Sequence, residues 1–176
     1  MLAMLLSFPE GENALDIWWG ETSVTITRSD KLQLMYLLRE HGWADLILSQ
    51  DDQCCVIPVS YLRDSLQELL VTTCALMEGS NRETVHFYSE PALFLLVLEM
   101  GEDGHLSISC KHYDNGRTTA DNFQICFTGR CKPTRYVQQI LASCAKILQE
   151  EGEDGYLRKW KLHHFPMKEY LRLKNL

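Results

Sequence analysis

Ala92-Leu-Phe-Leu-Leu-Val-Leu-Glu-Met100 is the most apolar run in the chain, and Gly101-Glu-Asp-Gly104 follows it directly. Glycines in such a turn supply the positive φ that a tight hairpin needs. The next run, His105-Leu-Ser-Ile-Ser-Cys-Lys-His-Tyr113, alternates with a period of two. A third β-rich run, Asn122-Phe-Gln-Ile-Cys-Phe-Thr128, comes after a polar loop. Residues 133–151 then carry Tyr136, Val137, Ile140, Leu141, Cys144, Ile147 and Leu148 at helical spacing, with Pro133 in the first turn and Gly152 as the stop. The unit reads as an antiparallel meander covered by one helix. Its expected core is Val97, Leu106, Ile108, Ile125, Phe127, Ile140, Leu141 and Leu148.

Working outward, the same order of strands and then a helix recurs twice. Residues 15–19 and 23–27 read as strands. They precede an expected helix at 31–41, with Leu34, Leu37, Leu38 and His41 at i, i+3, i+4 and i+7 and Gly42 behind them. Residues 44–48 and 54–57 read as strands around an Asp51-Asp-Gln turn. Pro58 cannot donate to a ladder, so it marks a strand end or an edge. Ser60 is the expected N-cap of a helix reaching Glu78, with Leu62 in its buried stripe. Val85-His-Phe-Tyr88 reads as a short strand. Strands arriving in hairpin pairs favour antiparallel pairing with helices gathered on one face. The expected fold is therefore α+β, a largely antiparallel sheet of about six to eight strands in a single domain spanning 1–176.

Length and composition set further bounds. With 45% apolar and 23% charged residues, a chain of 176 residues has the makeup of a folded domain with a core of its own. The seven cysteines are an odd number at irregular spacing, which fits reduced thiols and a cytoplasmic location. Met1–Phe8 is apolar but too short for a signal peptide or a membrane span, so no membrane is expected. Residues 1–155 hold 11 basic and 23 acidic side chains, whereas 156–176 hold six basic and one acidic. The net charge of −7 disfavours a nucleic-acid partner, which requires a basic surface. Residues 156–176 also carry Trp160, Phe165, Tyr170, Leu171 and Leu173, so this tail is expected to dock on the body as two short helices broken at Phe165-Pro166.

Motifs that carry chemistry are scarce. Cys110 and His112 share a strand face, with Cys126 and Cys131 nearby in sequence, yet the paired spacing of a zinc site is missing and no metal is expected. Cys54-Cys55 are adjacent and point to opposite strand faces, unlike a C-x-x-C pair. His163-His164 could serve acid–base chemistry, but no nucleophile motif accompanies them, and a hinge between helices is the simpler reading. Trp18-Trp19 place one ring on each side of a strand. The glycines form no phosphate-binding pattern, and no cofactor and no catalytic residue is expected.

In size, acidity and layout, with a meander closed by a helix and an aromatic tail, the chain resembles the small immunity proteins of bacterial toxin systems. The resemblance implies a non-enzymatic inhibitor that binds one cognate toxin domain, with its acidic body complementing a basic partner. Candidate contacts are the acidic residues expected in turns: Glu102, Asp103, Glu150, Glu151, Glu153 and Asp154, with Asp51 and Asp52. A small enzyme or small-molecule binder is the alternative. A third reading is a homo-oligomer, in the simplest case a homodimer, paired through a strand edge.

Overall fold

The structure is a computed structural model that describes residues 4–19, 22–116, 118 and 122–176. Ten antiparallel strands and four helices make up its α+β fold. The first sheet has the order β1-β6-β5-β4, from β1 (Met4–Ser7), β6 (Gln53–Ser60), β5 (Trp43–Asp51) and β4 (Ser29–Leu38). The second has the order β10-β9-β8-β7, from β10 (Gln124–Cys131), β9 (Leu106–Tyr113), β8 (Ala92–Met100) and β7 (Arg82–Ser89). A separate hairpin pairs β2 (Ala14–Trp19) with β3 (Thr22–Thr27). The strands thus divide among three sheets instead of one.

The helix expected at 31–41 is strand β4. Leu32, Leu34 and Tyr36 alternate inward and are buried in the main core. Met35 and Leu37 face the other way, against a second core. A strand with both faces covered presents apolar residues at nearly every position, so helical spacing can be picked out of it by chance. Gly42 is then a hairpin residue and not a helix stop: His41 and Gly42 have φ of 60° and 80° in the β4–β5 turn. A Cβ at Gly42 would lie 2.3 Å from Cδ1 of Tyr61, so the turn needs glycine for space as well as for conformation.

Helix α1 (Ser65–Met77) starts later than Ser60. Its N-cap is Asp64, whose side chain accepts the Gln67 N–H at 3.3 Å. Ser60 remains in β6, where its hydroxyl bonds Glu90 at 2.5 Å, and Leu62 is exposed. Pro58 lies within β6 opposite Asp45, beyond the stretch of β6 that pairs with β1. β6 continues through it to Ser60, so Pro58 does not end the strand.

The main core joins both four-stranded sheets to all four helices: α1, α2 (Pro133–Glu150), α3 (Gly152–Trp160) and α4 (Met167–Lys174). The second core contains no helical residue. There, Ile17 and Ile26 of the hairpin and Phe8 pack on Ile47, Cys54 and Val56 of the first sheet. The helices thus gather on one side of that sheet while the hairpin covers the other. Of the expected core residues, Leu106, Ile108, Phe127 and Ile140 are buried together, and Leu141 and Leu148 pack against them half-buried. Val97 is buried outside that cluster, because Phe94, Leu96 and Leu98 take the inward phase of β8. Ile125 is exposed, since the register of β10 on β9 shifts between Ile125 and Phe127.

Three sheet edges are closed by side chains. On β4, Gln139 and Ser143 of α2 accept the N–H groups of Leu34 and Tyr36, and Arg135 donates to the Leu32 carbonyl. On β10, the side chain of Gln50 accepts from Arg130 N–H and donates to its carbonyl, while Gln53 accepts from Thr128 N–H. On β7, Glu68 of α1 accepts the His86 N–H at 3.1 Å. Each contact uses up backbone groups that an incoming strand would need.

Residues 152–174 complete the core. Tyr156, Trp160, Phe165 and Leu173 are buried, while Leu171 is exposed. Trp160 meets Tyr36 edge to face at 6.3 Å, and Tyr156, Phe165 and Tyr170 continue the chain of ring contacts.

Candidate functional site

The second core sets the hairpin across the first sheet, and α2 closes the edge of β4. Between them lies an open cleft of about 700 Å³. Trp19, Ser23 and Val24 of the hairpin form one wall. Tyr36 to Trp43, with Asp45 and Pro58, form the floor. Lys146, Ile147, Glu150, Glu151 and Lys159, from the α2–α3 junction, form the other wall.

Asp45 sits at the bottom, 5% exposed, and accepts a hydrogen bond from Arg39 Nη1 at 3.1 Å. Burial pushes its carboxyl up to about 6, and the Arg39 charge and hydrogen bond only partly oppose that. The Arg39 guanidinium lies 4.5 Å over the Trp19 ring, a cation–π contact that ties floor to hairpin. Lys159 bridges Glu151 at 2.6 Å and Glu40 at 3.0 Å. The hydrogen bond to Lys159 holds the Glu40 carboxyl below its ordinary range, and the Glu151 contact raises the Lys159 ammonium. Ser23 and His41 also line the cleft, but no hydrogen bond joins either to Asp45. The Asp45 carboxylate serves Arg39, and Glu40 and Glu151 serve Lys159.

The acidic residues expected as contacts fall into two groups. Glu150 and Glu151 are at the cleft, and Glu153 and Asp154 follow them. These four do not form a loop: α2 ends at Glu150, and α3 begins at Gly152 with φ of 65°. Glu153 and Asp154 occupy the first turn of α3, where the helix dipole favours carboxylates. Glu151 is mostly covered by its pairing with Lys159. The second group divides between two turns: Asp51 and Asp52 at the β5–β6 turn of the first sheet, and Glu102 and Asp103 in the β8–β9 turn of the second. Asp103 pairs with Arg130, which lines a shallow depression of about 530 Å³ together with Asp51. Asp52 pairs with Arg28, and Glu102 is exposed.

Other constellations considered in the sequence resolve into packing. Among the described residues, no group of three or more His, Cys, Asp or Glu side chains is arranged to hold a metal ion. Cys110 and His112 are both buried, and His112 stacks on Phe94 at 4.5 Å. Cys126 occupies the β10 bulge and donates to the Cys110 carbonyl at 3.3 Å. The thiols of Cys55 and Cys110 hydrogen-bond its sulfur, which makes Cys126 the most readily ionised of the three. Burial pushes Cys54 and Cys131 up to about 11. His163 bonds the Tyr61 carbonyl at 3.1 Å and tethers the α3–α4 link to the start of α1. Trp18 is 64% exposed, whereas Trp19 faces the cleft.

The cleft is not legible in sequence, because Trp19, Arg39, Asp45 and Lys159 come from four separate elements. The one available signal was Trp18-Trp19, which places one ring on each side of its strand. No described helix is long and apolar enough to cross a membrane. No family model, curated protein or solved structure matches the chain.

Proposed function

We propose that this chain is a non-enzymatic binding protein for a basic protein partner, acting as an immunity protein that neutralises a bacterial toxin domain. The observation that carries this reading is the distribution of charge. Among the basic residues at 156–176, Lys159 pairs with Glu40 and Glu151 and Arg172 with Glu78, while Arg158, Lys161, Lys168 and Lys174 are exposed. The chain as a whole is acidic at −7, and exposed carboxylates stand at the cleft rim, Glu40 and Glu150, and in the first turn of α3, Glu153 and Asp154. Such a surface accelerates association with a basic partner and disfavours acidic ones.

The test is neutralisation. The reading requires a toxin-domain gene beside this one whose expression arrests growth of a host cell, with growth restored by co-expression of this chain. Unrelieved arrest, with the chain folded and soluble, would overturn the proposal. A second reading is favoured by the buried Asp45–Arg39 pair: a small ligand bound in the cleft, recognised by those groups.

A further inference from the structure

We infer that the cleft between the hairpin and the α2–α3 junction receives an arginine or lysine side chain from the partner, seated against Trp19 and Trp43 and between the carboxylates of Glu40 and Glu150. This rests on the protein-partner reading and names the chemistry of its contact.

Three observations carry it. The first is charge. The cleft is lined by Glu40, Asp45, Glu150 and Glu151 against Arg39, Lys146 and Lys159. Each of these cations is already committed: Arg39 to Asp45, Lys159 to two glutamates, and Lys146 to Glu150 at 3.8 Å. The four carboxylates are themselves paired with these three cations, so the lining keeps one negative charge in excess, which favours a cation over an anion.

The second is exposure. The side chains of Glu40 and Glu150 are 65% and 57% exposed, so these two carboxylates reach the mouth of the cleft. An incoming ammonium or guanidinium can form charge-assisted hydrogen bonds there without breaking the buried pair beneath.

The third is that the cleft already holds one such cation. Arg39 lies on the face of Trp19 with a carboxylate at its edge. An aromatic face beside a carboxylate is the chemistry that holds a guanidinium. Trp43, half-buried in the same lining, offers a second indole next to Glu40 in the chain. The volume of about 700 Å³ leaves room for a long side chain and part of the backbone that carries it.

The probe is N-acetyl-L-arginine amide, titrated into the intact chain while the four indole N–H resonances are followed by NMR. The Trp19 and Trp43 signals should shift saturably. Exposed Trp18 and buried Trp160, which do not line the cleft, should stay in place. N-acetyl-norleucine amide and N-acetyl-glutamate amide should have no such effect. The double substitution Glu40→Gln with Glu150→Gln should weaken the arginine response at least fivefold, with the Trp160 signal unchanged as proof of folding. Equal shifts from the neutral probe, or a response untouched by the double substitution, would overturn the inference. Arginine binding without neutralisation of a toxin supports the cation site and overturns the immunity reading. Neutralisation that survives both substitutions does the reverse.

Discussion

Gly42 donates its backbone N–H to the carbonyl of Lys159 at 2.8 Å, which fastens the β4–β5 turn to the end of α3. The same lysine carries the side chain that bridges Glu40 and Glu151. The floor and one wall of the cleft are therefore joined by main chain and by charge at a single residue. Gly42→Ala should disturb both. It forces a side chain onto φ of 80° and into the Tyr61 ring, at a cost of at least ~1–3 kcal/mol. Urea denaturation measures the loss. Stability equal to that of the parent would mean that the turn does not need its glycine.

Trp160 and Lys159 are neighbours with different expected costs. Trp160 is fully buried against Tyr36 and Tyr156. Its replacement by alanine should cost ~3–5 kcal/mol. Lys159→Ala removes a part-exposed ion pair and should cost ~1 kcal/mol or less. Parallel denaturation curves compare the two. A larger loss for Lys159 would show that charge and not packing holds the C-terminal helices.

The Asp45 carboxyl gives the chain a pH-dependent stability term. Its folded pKa is about 6, above the value of ~3.9 for an unfolded aspartate. The folded state therefore keeps a proton that the unfolded state has released. The contribution is fully present below pH ~4 and is lost as pH rises to ~6, by up to ~3 kcal/mol. Asp45→Asn removes this slope. The stability of the variant relative to the parent should rise between pH 4 and 6 and stay level above. Parallel pH profiles for the two proteins would contradict the assignment.

Gln50 and Gln53 protect the edge of β10. Replacing both with alanine leaves the N–H groups of Thr128 and Arg130 without these acceptors, and because both bonds are exposed water replaces them, at a cost of ~1 kcal/mol or less each. The bared edge should also promote self-association, read by light scattering during gentle heating. A variant that stays monodisperse would show that the edge is shielded by other means.

These side-chain caps also mark how far the sequence could be read. The meander from Ala92 to Cys131 and its covering helix were legible because β8 is one long apolar run, β9 alternates with a period of two and a glycine turn separates the two. Strand β4 was not, because Met35 and Leu37 face one core while Leu34 and Tyr36 face another, and two-sided burial erases the alternation that identifies a strand. The start of α1 was misplaced because Ser60 and Asp64 are both good caps in sequence, and only the tertiary bond from Ser60 to Glu90 separates them. The acidic residues at 150–154 read as a loop, since glycines at 152 and 155 suggest a break. In fact Gly152 makes the junction, and Gly155 is accommodated within α3 against Glu151. The cleft depends on contacts between residues far apart in the chain, and no local pattern encodes those.

The central claim is that an acidic face of this chain captures a basic partner, and association kinetics test it most directly. The intact chain and the toxin domain that the proposal requires as its partner should be mixed by stopped flow at several salt concentrations. Association should slow steeply with added salt, because exposed charges are screened over ~8–10 Å at physiological ionic strength. Substituting lysine for Glu40, Glu150, Glu153 and Asp154 should lower the association rate at least tenfold and flatten the salt dependence. An association rate indifferent to salt, and unchanged by the four substitutions, would contradict the account.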